Sequence, residues 1–318
     1  MRLAPAALLV LAAGCGVIPP PTGVDLPPSL QLNAVLPAGA DTVAVLIEEA
    51  ETVDGSLPTT PVSGAQVRLS GPGAEATLRE APAGFAACVR QFDSATGMPF
   101  TLPAGPGCYA GVVPGGVRAG GTYSLAADLP GRGQVTARTT VPLPPEPVYP
   151  GAGERIPLRA MQGFGGSQLA TDVLTLRWRT RRSGEQVVPG VAAGRVFHDG
   201  RAVPGAQCGV FLRSAGDVVV DGTGREGFAD SVVVQGLVAG CGEWTGAGAS
   251  RQYRPIQPDS VEVHLHLTAL DSAYTHSRVG PGGAVRDSKA SVGVTGAYGM
   301  FVGLAASRRR ITFVLPPD

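Results

Sequence analysis

Residues 172–180 read DVLTLRWRT. Leu174, Leu176 and Trp178 fall on one side of an extended chain, and Thr175, Arg177 and Arg179 fall on the other. Successive side chains of a strand point to opposite faces, so this spacing predicts a half-buried antiparallel strand with one dry face and one wet face. The alternation returns in VAVLIEE (43–49), AQVRLS (65–70), TYSLAAD (122–128), QVTARTT (134–140) and VEVHLHLT (261–268). Shorter apolar runs stand at 218–220, 231–234 and 311–315. The 46 glycines and 29 prolines separate these runs and read as turns rather than disorder. Helical periodicity is scarce. The best candidate is LDSAYTHSR (270–278), which Asp271 or Ser272 would cap.

Many short strands between Gly/Pro turns predict an all-β chain of two β-sandwich-like domains with little helix. The stretch VPLPPEPVYPGAGE (141–154) marks the boundary, because proline cannot donate to a ladder and sheet pairing is expected to end there. One domain is expected over 30–145 and a second β-rich domain over 150–318. No long-period repeat suggests a solenoid or a propeller.

The N-terminus carries an address. Arg2 precedes the apolar run Leu3–Ala13, which is too short for the roughly 20 residues of a spanning helix but suits a signal peptide over 1–14. Small residues then lead to a cysteine in LAAGCG, where Cys15 stands after Gly14. This order resembles the bacterial lipobox. The resemblance implies a diacylglycerol on the Cys15 thiol, cleavage before it, and an acyl chain such as palmitate on the new N-terminus. Prolines 19, 20, 21, 27 and 28 make residues 15–29 a semi-rigid tether reaching on the order of 40 Å at polyproline rise. The expected location is the cell envelope, lipid-anchored and extracytoplasmic. Gly16, rather than an acidic residue, follows the cysteine. By the same resemblance this favours the outer membrane where the cell has one.

Composition narrows the partners. The chain has 25 basic and 25 acidic side chains, so no basic surplus draws it to nucleic acid. Four cysteines remain beyond Cys15: Cys88, Cys108, Cys208 and Cys241. An even number in an exported chain suggests disulfides. Of the three possible pairings, Cys88–Cys108 and Cys208–Cys241 keep each bridge inside one proposed domain. Each would then contribute about 3 to 4 kcal/mol on the chain-entropy account. No CxxC or CxxH spacing supports a cysteine-based zinc site.

PVSGAQVRLSG (61–71), followed by CYAGVVPGGVRAGGTYSLAADLPGRGQVTARTTVP (108–142), resembles the Ig-like or transthyretin-like sandwich of extracytoplasmic bacterial proteins. In that pattern Ala65, Val67 and Leu69 fill the core, and Tyr123 and Leu125 point inward after Gly121. Beyond it, SVEVHLHLTALDSAYTHS (260–277) and VGVTGAYGMFVGLAASRRRITFVL (292–315) make the whole chain similar to uncharacterised bacterial lipoproteins. In those, a lipobox and such a sandwich precede a second β domain. The resemblance implies fold and location and brings no catalytic residue with it.

Candidate chemistry is sparse. Glu262, His264 and His266 in EVHLH would point the same way, about 7 Å apart per two-residue step. Two imidazoles and a carboxylate could ligate a zinc-like ion; the same pattern is also the solvated face of a half-buried strand. His198-Asp199-Gly200 offers a His/Asp pair, although Asp-Gly is above all a hairpin-turn signal. No GxSxG elbow and no SxxK occurs; Arg286 stands three residues before Lys289. The glycines at 280–283 and 296–299 lack the Gly-Lys-Ser/Thr ending of a phosphate loop. Arg308, Arg309 and Arg310 read as a charged edge. Trp178 reads as core, and Trp244, beside Cys241, as either an exposed binding aromatic or a partner packed on a disulfide.

The expectation is a membrane-anchored, non-catalytic protein that presents β-sandwich surface to an envelope protein or a surface polysaccharide, without a cofactor. An exported glycan-acting hydrolase, its site assembled from distant residues, is the alternative. A metal carrier using the His264 face is a third reading.

Overall fold

The computed structural model describes residues 29–50, 59–82, 87–93, 98–103, 105–163, 166–180, 186–214, 231–245, 252–271 and 292–315. The signal peptide, Cys15, the proline tether up to residue 28, the run at 218–220 and the helix candidate beyond Asp271 lie outside them.

The described chain is all-β. Its strands are β1 (Ser29–Pro37), β2 (Thr42–Ala50), β3 (Thr59–Pro61), β4 (Gln66–Gly71), β5 (Ala74–Glu80), β6 (Ala87–Asp93), β7 (Met98–Pro103), β8 (Cys108–Val112), β9 (Thr122–Leu129), β10 (Gly133–Thr140) and β11 (Glu146–Tyr149). They continue as β12 (Arg155–Gly163), β13 (Gly166–Thr171), β14 (Leu174–Arg179), β15 (Gln186–His198), β16 (Arg201–Ala202), β17 (Ala206–Ser214), β18 (Ser231–Thr245), β19 (Gln252–Pro255), β20 (Ser260–Leu270), β21 (Val294–Thr295) and β22 (Tyr298–Val314).

Among the described residues two large hydrophobic cores form, with two smaller apolar clusters beside them. In the first, β4, β9 and β10 pair antiparallel and face β1, β2 and β8. Val67, Leu69, Tyr123, Leu125 and Val135 meet Leu32, Val45, Ile47 and Tyr109 there. Val67 is 0 % exposed and Leu69 1 %, as the AQVRLS spacing requires. Tyr109 and Tyr123 are buried with their hydroxyls satisfied. Tyr109 Oη donates to the Val62 carbonyl at 2.7 Å and accepts from Ala65 N–H at 2.9 Å. Tyr123 Oη accepts from Arg118 N–H at 2.6 Å. A Cβ at Gly71 would stand 2.2 Å from the Tyr123 ring, so that strand position has to be glycine.

In the second core, Leu174, Leu176 and Trp178 of β14 join Val234 and Val238 of β18 against Val261, Val263, Leu265 and Leu267 of β20. Thr175, Arg177 and Arg179 turn outward, as the alternation requires.

Strand β22 belongs to both cores. Residues 31–37 of β1 pair parallel with 298–304 of β22. Farther along, β20 pairs antiparallel with residues 304–314, and β12 pairs parallel with 312–314. Phe301 completes the first core and Phe313 the second, each 0 % exposed. Of this strand, only 311–315 stands out in the sequence as an apolar run. Met300, Phe301, Val302 and Gly303 are buried on both sides, so the period-two signal vanishes there. Buried Asp271 also ties the halves together: its Oδ2 accepts from Thr139 Oγ1 at 2.5 Å and from Thr140 N–H at 3.2 Å, and its own N–H donates to the Gly303 carbonyl at 3.0 Å.

Pairing does not end in the 141–154 stretch as the prolines suggested. Glu146–Tyr149 forms β11, which pairs with β14 through a register shift at Pro147/Tyr149. A short, irregular β11 tolerates the missing N–H of Pro147. Both favoured disulfides are present, Cys88–Cys108 and Cys208–Cys241. They are consistent with an extracytoplasmic location. Among the described residues no helix is long and apolar enough to cross a membrane.

Candidate functional site

Strand β20 buries Val261, Val263, Leu265 and Leu267 and turns Glu262, His264 and His266 outward, half-buried. Register supplies their neighbours. On β22, Arg310 lies opposite His264 and Arg308 opposite His266. On β15, Ala192 lies opposite His264 and Gly190 opposite His266. A Cβ at Gly190 would meet nothing within 4 Å, so the β15 side of this face is low and open.

A bulge between Ala193 and Val196 re-aims β15. It brings Arg195 Nη2 to 3.2 Å from Glu262 Oε2, with Arg310 Nη1 at 3.7 Å from the same oxygen. His264 Nε2 lies 3.6 Å from Glu262 Oε1. Gly194 makes room for this: a Cβ there would come within 2.9 Å of His264 Nε2 and 3.1 Å of Glu262 Oε1. The Arg195 guanidinium also sits 5.9 Å from the centroid of the Phe197 ring. Burial, then the positive charge of Arg308 and of His264, holds the His266 imidazole below its ordinary pKa. His266 is therefore a neutral donor/acceptor at neutral pH.

Glu262, the only carboxylate of this trio, is 12 % exposed, whereas Arg195 is 63 % and Arg310 62 % exposed. One shielded negative group thus serves several positive ones, and the face presents guanidinium to solvent. Its chemistry suits carboxylate, sulfate or phosphate oxygens, which arginine grips in a planar fork. Glu262, His264 and His266 share a face as the alternation required, but they do not converge as a three-ligand set. Among the described residues the set that does converge is His198, Asp199 and Asp259, with one ligand atom from each within 4.8 Å of the others.

The Asp199-Gly200 hairpin turn is present: Phe197 pairs with Ala202 and His198 with Arg201, and both turn residues have positive φ, 51° and 68°. Asp259 was invisible in sequence because it enters from the start of β20. The three consecutive arginines divide. Arg308 and Arg310 turn to the histidine face, while Arg309 Nη1 donates to the carbonyls of Val148 at 3.4 Å and Pro150 at 2.8 Å. Trp178 is core, 4 % exposed. The Trp244 side chain and Cys15 lie outside the described set.

Elsewhere the sheets carry shallow grooves. One of about 480 Å³ on β4, β9 and β10 includes Arg68, Glu75, Thr136 and Arg138. Another of about 410 Å³ includes Arg79, Glu80 and Tyr109. Each contains a single carboxylate. Glu80 is already engaged: hydrogen bonds from Ser63 Oγ at 2.6 Å and Gly107 N–H at 2.9 Å hold its carboxyl below the ordinary range.

No protein-family model and no curated protein matches the chain. Among solved structures it shows a faint likeness to a mutant of CfaE, the CFA/I adhesin of enterotoxigenic E. coli. Identity is 8 % over 91 % of this chain and 87 % of that one, with a TM-score of 0.20, too low to carry an argument.

Proposed function

We propose that this is a lipid-anchored, extracytoplasmic, non-catalytic protein that presents the β15–β20–β22 face to an anionic surface polymer of the cell envelope. One observation carries the reading. Arg195, Arg310 and His264 surround a single shielded carboxylate, Glu262, and Arg308 adds a further guanidinium opposite His266, beside the open floor at Gly190. A face left open at Gly190 suits a polymer better than a small molecule, which prefers a concave site. The lipobox at Cys15 and the proline tether would place this face off a membrane surface, and the two disulfides fit that compartment.

The mature protein in detergent, passed over immobilised polygalacturonate and over neutral dextran, tests the binding. The expected result is retention on the acidic matrix alone, lost as salt rises, and weakened in the double variant Arg308→Ala, Arg310→Ala. Equal retention on dextran, or retention that ignores the double variant, contradicts it. Failure on both matrices with capture of one stoichiometric envelope protein would replace the polymer by a protein partner. Mass spectrometry of the same sample tests the anchor: a chain beginning at lipid-bearing Cys15 is expected, and an unlipidated chain retaining Met1 overturns the placement.

A further inference from the structure

We propose that His198, Asp199 and Asp259 form a divalent-metal site at the tip of the β15–β16 hairpin, separate from the anion-binding face and independent of it. The first observation is the orientation of the imidazole. His198 Nδ1 lies 2.8 Å from the Gln257 carbonyl oxygen. A carbonyl only accepts, so Nδ1 carries a proton and Nε2 is the ring nitrogen turned toward the carboxylates. Metal-ligating histidines are held in this way, by a hydrogen bond from the ring nitrogen that does not ligate.

The second observation is convergence. Nε2 stands 3.8 Å from Asp199 Oδ2, and the three residues bring one ligand atom each within 4.8 Å of the others. Ligands around a tetrahedral ion at zinc distances are about 3.4 Å apart. Closing the difference takes a small movement of exposed side chains, Asp199 being 86 % exposed. The scaffold beneath is fixed. Asp259 N–H donates to the Phe197 carbonyl at 2.9 Å, and its carbonyl accepts from Leu315 N–H at 2.8 Å. Its Oδ2 accepts from Gly200 N–H at 2.8 Å, which keeps the carboxylate turned to the hairpin.

One imidazole nitrogen and two carboxylates select a zinc-class ion over calcium or magnesium, which take all-oxygen sets. Three protein ligands leave a coordination position for water or for a donor from outside the chain.

Titration calorimetry of the detergent-solubilised mature chain, with its affinity tag removed, against ZnCl₂ and CaCl₂ tests the site. The expected result is one equivalent of Zn²⁺ and no comparable uptake of Ca²⁺. Three variants follow: His198→Gln, Asp259→Asn and Asp199→Asn. The last keeps the hairpin, because a two-residue turn of this type accepts asparagine as well as aspartate. Each should weaken Zn²⁺ by more than the roughly tenfold that loss of an outer-shell partner costs. Absence of stoichiometric Zn²⁺ overturns the proposal. So does uptake that all three variants leave unchanged, since the ion would then sit elsewhere.

Discussion

The two sandwiches spend their polar side chains differently. In the first, polar groups close the structure on itself: Tyr109 and Tyr123 bind backbone through their hydroxyls, and Glu80 accepts from Ser63 and Gly107. In the second, the outward positions of β20 and β22 hold Glu262, His264, Arg308 and Arg310 in a cluster that still faces solvent. Both halves obey the same period of two. Alternation therefore settles which side chains face out, and pairing register settles what those side chains can do.

Strand β22 offers the strongest test, because it enters both cores. Phe301→Ala and Phe313→Ala each remove a fully buried ring and should cost about 3–5 kcal/mol in denaturant unfolding. Hydrogen exchange should locate the loosening around β1, β2 and β10 for the first variant and around β14, β18 and β20 for the second. If both variants loosen the same strands, the division into two cores fails.

Tyr109→Phe sharpens the contrast at the next level. It strips the Val62 carbonyl and Ala65 N–H of a buried partner and should cost about 1–3 kcal/mol in the same assay. His264→Ala, on the open face, should stay within about 0.5 kcal/mol of the parent while weakening retention on polygalacturonate. A large stability loss at His264 would make the face structural.

Acid titration separates the halves again. Glu80 has its pKa lowered in the folded state, first by the Ser63 hydrogen bond and then by the Gly107 N–H. Its stabilisation is present above the ordinary 4.5 and is lost as pH falls through the lower folded value. Glu80→Gln should flatten stability against pH below about 4.5. His266 is a base with a lowered folded pKa, chiefly from burial. The unfolded chain therefore takes up its proton first, and stability falls as pH drops below about 6.5. His266→Gln should remove that loss between pH 6.5 and the acid limb. Unchanged curves in both variants would mean that neither environment differs from solvent.

Much of this was legible in the residues. DVLTLRWRT and AQVRLS announced their buried faces, the pairing of cysteines within sequence halves was sufficient, and Asp-Gly marked its hairpin. Three things were not. The first half of β22 is buried on both sides and so lacks alternation. Strand β15 reads QVVPGVAAGRVFH, where Pro189 and a bulge conceal the period; the proline is tolerated because, among the described strands, only β20 and the short β16 pair with it. The meeting of Arg195 and Arg310 with Glu262, of Arg308 with His266, and of Asp259 with His198 depends on long-range register, which local spacing does not encode.

Arginine footprinting shows which face the polymer covers. The mature protein is treated with phenylglyoxal, with and without polygalacturonate, and modified arginines are located by mass spectrometry. The expected result is protection of Arg195, Arg308 and Arg310 by the polymer, with Arg68 and Arg138 on the first sandwich modified equally in both samples. Protection of Arg68 and Arg138 instead, or of none of the five, would contradict it.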